Sequence, residues 1–172
     1  MIQVRRQKPD FGAVEHGNNK ESKMNPLQAA LQIVLSNTMV MYFKAHSYHW
    51  NVEGMFFPQF HDFFGDLYEE LHGAVDSIAE QMRAIEAYGP SSLAEVLRNT
   101  TCTEDTFRRN SVRDMIDSLL NANTSTVESL NAAFAMAEQQ GNQALMDFLA
   151  GRLDTHAKHG WMLSATSKSF GE

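Results

Sequence analysis

Apolar positions recur at helical spacing through most of the chain, and no stretch shows the two-residue alternation of a strand. After a polar, Gly-containing opening, Asn25-Pro26 reads as a helix start, with Asn at the cap and Pro in the first turn. Leu27, Leu31, Val34, Thr38 and Met41 follow on one face, and the helix is expected to reach Val52, ahead of Glu53-Gly54. Pro58 begins a second helix with the stripe Phe60, Phe64, Leu67, Leu71, Ile78, Met82 and Ile85, expected to end near Tyr88 at Gly89-Pro90. Ser92 to Glu95 has the capping-box pattern and opens a short helix through Leu97, and residues 98–110 read as loop. Ser111 to Asp114 opens a third long helix with Met115, Ile116, Leu119, Val127, Leu130 and Phe134 inward, broken at Gly141-Asn142. The fourth carries Leu145, Leu149, Leu153, His156 and Leu163 and fades after Phe170.

Four long helices, with a short one inside the long connection between the second and third, predict an all-α, ferritin-like four-helix bundle with one crossover. The bundle is expected over residues 25–170, behind a flexible polar tail over residues 1–24. Ten Met and eleven Phe fit a well-filled helical core. The net charge of −7 argues against a dedicated nucleic-acid binder. The single cysteine, Cys102, excludes an intramolecular disulfide framework, reads as a loop residue without catalytic work, and fits a reducing compartment. With no bilayer-length apolar run and no signal-peptide pattern at the N-terminus, the expectation is a soluble cytoplasmic protein, with no membrane partner.

The second helix has a second face. At about 100° per residue from Phe60, the apolar stripe stays within about 40° of zero, while His61 falls near 100°, His72 near 120°, Asp76 near 160°, Glu69 near 180° and Glu80 near 200°. An outward polar face is ordinarily just solvated. This one also carries Gly65, Gly73 and Ala79, and Gly in an exposed helix interior costs roughly 1 kcal/mol against Ala. Its two His and three acids are ligand types for divalent metals. His61 and Asp76 lie about 22 Å apart along one helix axis, so one chain cannot bring them to one ion. Two copies packed antiparallel about a two-fold axis can, and that register sets Gly65 opposite Gly73 of the other chain.

These residues resemble the Dps family, the DNA-binding proteins from starved cells, over roughly residues 25–168. The stretch from Lys44 through His49-Trp50 to Gly54, then Phe60-His61, then Asp76 and Glu80, is similar to that family's metal-site signature; Asp147 to Ala165 is similar to its closing helix. The resemblance implies that His49 and His61 of one subunit and Asp76 and Glu80 of its two-fold mate are the catalytic metal ligands, with Trp50 beside the site. It further implies a homo-oligomer, a hollow dodecamer built from two-fold dimers, that oxidises Fe²⁺ with hydrogen peroxide in preference to dioxygen and stores ferric iron, protecting against oxidative damage. Zinc is a possible substitute for iron. One departure stands out. Many members carry an acid four residues after the second His, where this chain has Gly65; Asp62 and Asp66 are near but face elsewhere. One firm iron site and one weak, water-rich site are expected.

Other candidates have ordinary readings beside the functional ones. His156 and His159 have i, i+3 spacing, but His156 lies on the apolar stripe and reads as a hydrogen-bonded core residue. Glu69 and His72 have the di-iron Glu-x-x-His spacing, yet one copy facing outward is insufficient for an in-core site; they remain accessory candidates with Asp62. The same lack of a second motif speaks against a larger ferritin or bacterioferritin. His46, one turn before His49, reads as structural. Residues 1–24 carry Arg5, Arg6, Lys8, Lys20 and Lys23 against Asp10, Glu15 and Glu21, so DNA is a partner that could be reached only through the tail. The alternative function is thus a DNA-compacting, nucleoid-associated shell protein with a vestigial or zinc-filled metal site, separable by a salt-dependent gel shift with and without the tail.

Overall fold

The computed structural model describes residues 24–106 and 111–168, and the tail expected over residues 1–24 lies, but for Met24, outside them. Within the described residues the chain forms five helices: α1 (Pro26–Asn51), α2 (Phe57–Ala84), α3 (Leu93–Asn99), α4 (Val112–Gln139) and α5 (Gln143–Ser167). α1 packs on α2 and α4, α4 on α5, and the short crossover helix α3 on α1. This is the expected four-helix bundle.

The caps explain where the helices begin. Asn25 accepts from the Leu27 amide while the Gln28 side chain reaches back to the Asn25 amide. Ser111 and Asp114 make the same reciprocal box at α4. Each box satisfies amides that the first turn leaves without helical partners. α2 stops at Ala84, four residues before the expected Tyr88. Ile85 caps it, and Glu86 takes a left-handed φ of 62°, a conformation that ends a helix. Arg83 then holds the reversed chain by donating to the Ala87 carbonyl at 2.8 Å and lying over the Tyr88 ring. α3 runs to Asn99, two residues past the expected end, so the described part of the loop is shorter than expected.

Apolar burial falls into two clusters, one at each end of the bundle. One joins Met41, Tyr48, Phe64, Leu71, Ile116, Leu119 and Leu163; the other joins Leu27, Leu31, Ile78, Met82, Leu130, Leu145 and Leu149. Side chains such as Phe64 and Leu71, with no exposure, each contribute on the order of 2 kcal/mol by leaving water. Val127, Phe134 and Leu153, expected inward, are only half-buried. A polar waist separates the clusters: Ser36, Asn37 and Thr38 on α1, Asn123, Thr126 and Ser129 on α4, and His156 on α5 are all buried. Asn37 ties α1 to α4 and to the segment after α3, through Ser129, Thr100 and Thr101.

Candidate metal centre

The end of α1 and the start of α2 place His49 and His61 side by side. Their rings stack with centroids 3.6 Å apart and 24° between planes. Each Nδ1 lies against the other residue's backbone carbonyl, His49 Nδ1 to the His61 oxygen at 2.7 Å and His61 Nδ1 to the His49 oxygen at 2.8 Å. A carbonyl oxygen only accepts, so both Nδ1 atoms donate. In the neutral rings both Nε2 atoms then carry the lone pair. Fixing the metal-binding tautomer through the opposite nitrogen is how ligating imidazoles are ordinarily held. Gly65 lies one turn past His61; a Cβ built there would come 3.4 Å from His49 Nδ1, so the bare α2 backbone leaves the ring its seat.

Asp76 and Glu80 are exposed on α2, farther along the same unbroken helix. The structure does not bring them to the histidines within one chain. Among the described residues, no three His, Cys, Asp or Glu side chains of one chain gather closely enough to hold a metal ion. Glu69, His72 and Asp62 are exposed as well. His72 packs its ring on Tyr42, with centroids 5.2 Å apart.

An aromatic cluster borders the two histidines, and the sequence reading missed its extent. His46 stacks on Tyr68 at 4.0 Å and lies 4.1 Å from Trp50. Tyr68 in turn meets the His49 ring edge-on at 5.2 Å. Tyr42 hydrogen-bonds His46 Nδ1 at 3.2 Å. Burial, and then the neighbouring His49 and His72, lower the His46 pKa and keep that ring neutral. The available signal was spacing: Tyr42, His46 and His49 fall within about 60° on α1.

Two other polar clusters are already committed to structure. Lys44, buried on α1, donates to Asp105 at 2.8 Å and to Ser118 at 3.0 Å, and Tyr48 also donates to Asp105. Burial alone would raise the Asp105 carboxyl, but the bonds from Lys44 and Tyr48 outweigh it and hold the pKa below its ordinary value. This pins the segment after α3 to α1. On α5, His156 Nδ1 bonds Asn123 at 2.8 Å, its Nε2 faces Arg152 at 3.4 Å, and Arg152 pairs with Glu70 on α2. Burial, then Arg152, then His159, push His156 down to about 3. Burial also lowers His159, against the pull of Glu70 at 3.5 Å. Cys102 is buried against Ala122 and Thr126, and burial raises its thiol pKa.

The chain is similar in sequence and fold to known proteins. Residues 28–170 match the family described as Ferritin-like domain. The chain is 33% identical over 131 residues to the DNA protection during starvation protein of Brevibacillus brevis, covering 76% of this chain and 87% of that one. It is 30% identical to general stress protein 20U of Bacillus subtilis, covering 76% of this chain and 90% of the relative. The crystal structure of a Dps protein from Bacillus brevis superposes with a TM-score of 0.77 at 31% identity, over 81% of this chain and 93% of that one.

Proposed function

Because the chain belongs to the Dps family of ferritin-like proteins, we propose that it is a miniferritin that binds Fe²⁺ at sites shared between subunits, oxidises it and stores the ferric product in a hollow shell. The observation that carries this reading is the reciprocal anchoring of His49 and His61, which leaves two Nε2 donors on an outward helix face. Two imidazoles with two carboxylates suit ferrous iron and leave coordination positions free for an oxidant. The carboxylates are Asp76 and Glu80 of the partner subunit, delivered by an antiparallel two-fold pairing of α2. Asp76 and Glu80 lie one turn apart with like charge, an unfavourable pair unless a cation sits between them.

The reaction we assign is 2 Fe²⁺ + H₂O₂ → 2 Fe³⁺ + 2 OH⁻. It removes iron and peroxide together and so suppresses hydroxyl-radical chemistry. Gly65 supplies no carboxylate for a second iron, so one firmly held iron per site is expected. Twelve subunits enclosing the ferric product complete the reading, with zinc competing for the same donors. Among the described residues no helix is long and apolar enough to cross a membrane.

The test is anaerobic Fe²⁺ titration of the purified full chain followed by peroxide, watched by absorbance. Saturable binding near one iron per subunit, then fast oxidation to a soluble ferric core, is the expected result. Absence of saturable binding, or ferric precipitate as in buffer alone, would overturn the reading and favour a DNA-compacting shell.

A further inference from the structure

Glu69 and His72 share the outward face of α2 with the proposed ligands, at about 180° and 120° from Phe60, on either side of Asp76 near 160°. Both are exposed. Glu-x-x-His spacing lets one turn of helix offer a carboxylate and an imidazole to the same ion. No ion pair among the described residues uses either side chain. The His72 ring is steadied by Tyr42, with centroids 5.2 Å apart. Charge around them is one-sided. α2 carries Asp62, Asp66, Glu69, Glu70, Asp76 and Glu80, and its single Lys or Arg is Arg83 in the last turn, which holds Ala87 and Tyr88. Glu70 is paired with Arg152, and Lys44 of α1 with Asp105. The pairing that brings His61 to Asp76 and Glu80 of the partner subunit also fixes where the two α2 helices cross. His61 then lies opposite the point midway between those two acids, so the crossing falls between Glu69 and Glu70. At about 1.5 Å of rise per residue, Glu69 and His72 of each chain lie within about 4 Å of the two-fold axis, measured along the helix. One copy of the motif is insufficient for a site within one chain, and the axis supplies the second.

We propose that Glu69 and His72 of both chains form a further metal site on the two-fold axis, which takes one divalent ion of the zinc or ferrous class per pair of subunits. The proposal rests on the subunit pairing of the ferroxidase reading. Two imidazoles and two carboxylates are a donor set for such ions. Without an ion, Glu69 faces its own copy, and the like charges repel across the seam. With an ion, the same two carboxylates become a link between subunits. The axis site is therefore structural: it makes pairing of two acidic α2 helices depend on metal supply. It is separate from the two His49/His61 sites, whose His61 lies about 13 Å from the axis along the helix.

The experiment is Co²⁺ titration of the metal-free full chain, read by visible absorbance, with sedimentation of the same samples. The unaltered protein should take one ion per chain at the histidine sites and one more per two chains at the axis. Glu69→Gln and His72→Asn should each lose the additional ion and keep the one per chain. His61→Ala should lose the one per chain and keep the additional ion. In that His61→Ala background, Co²⁺ at about 100 times its dissociation constant should strengthen subunit pairing about 100-fold, and adding His72→Asn should abolish the gain. Uptake that stops at one ion per chain in the unaltered protein would overturn the axis site and leave the ferroxidase reading standing. So would an additional ion that survives both Glu69→Gln and His72→Asn. Absence of any saturable binding would overturn both readings together.

Discussion

The molecule holds two pairs of histidines, and their surroundings give them opposite capacities. His49 and His61 sit half-buried at the outer face of α1 and α2, each with Nδ1 bound to a backbone carbonyl and Nε2 left over. His156 and His159 are 1% and 8% exposed in the polar waist, and both His156 nitrogens are engaged, by Asn123 and by Arg152. The first pair spends its hydrogen bonds on orientation and keeps its lone pairs. In the second, His156 spends both nitrogens on Asn123 and Arg152, while His159 turns Nε2 toward Glu70 at 3.5 Å and buries Nδ1 without a hydrogen-bond partner among the described residues. Residue type is the same in the two regions, so the capacity to bind a metal follows from burial and from what the ring nitrogens are already bonded to.

The largest effect that could break this contrast is on iron oxidation. His61→Ala removes a proposed ligand, and its initial rate of peroxide-driven oxidation should fall about 100-fold or more, the upper range for loss of even an outer-shell partner. Asp76→Ala should behave likewise with the shell assembled. His156→Ala should leave the rate per folded subunit within about threefold, because its effect is on packing. Stopped-flow absorbance on size-selected assemblies measures all three. Equal losses in His61→Ala and His156→Ala would erase the distinction between the regions.

The next effect is on stability and concerns the inner pair. His156 is held neutral, with a folded pKa of about 3 against an ordinary value of 6.5. Between these values the unfolded chain binds a proton that the fold refuses, so stability is complete above pH 6.5 and declines as the pH falls toward 3. The loss by pH 5 should be about 2 kcal/mol. His159, also lowered by burial, acts in the same direction. Denaturant titration at fixed subunit concentration, at pH 7 and pH 5, should show this slope, and His156→Leu should flatten it even though it costs stability at pH 7. An unaltered slope in that variant would place the pH response elsewhere.

How much of this the sequence shows follows from the range of each interaction. Helices, caps and apolar stripes are local, and Asn25, Ser111 and the stripe from Phe60 to Met82 fold as their spacing predicts. The proximity of His49 to His61 was implied by resemblance, since they lie on different helices. The end of α2 was misplaced because it depends on Glu86 and on Arg83 reaching Ala87, while Gly89-Pro90 gave the more visible stop. Partners distant along the chain left no local mark: Asn123 with His156, Lys44 with Asp105, Glu70 with Arg152. His156 read correctly as core, but nothing in a helical period indicates that its core is a polar network.

The smallest predicted effect tests the outer face through its glycines. A Cβ at Gly73 on α2 meets nothing within 4 Å, and the same holds for Gly151 on α5. Both are exposed in the single chain, so Gly→Ala at either position should favour the helix by up to about 1 kcal/mol. The proposed two-fold pairing separates them, because it lays the exposed Gly73 against α2 of the partner subunit; Gly65, expected to meet it there, is instead buried under its own chain's His49. Gly73→Ala should therefore weaken subunit pairing about 5- to 10-fold, the equivalent of roughly 1 kcal/mol, while Gly151→Ala raises the melting temperature with pairing unchanged. Sedimentation over a range of subunit concentrations reads pairing, and thermal unfolding reads the helix gain. Identical behaviour of the two variants would remove the reason for glycine on this face of α2. It would also detach Asp76 and Glu80 from the histidines they are proposed to meet, since the same register sets both contacts.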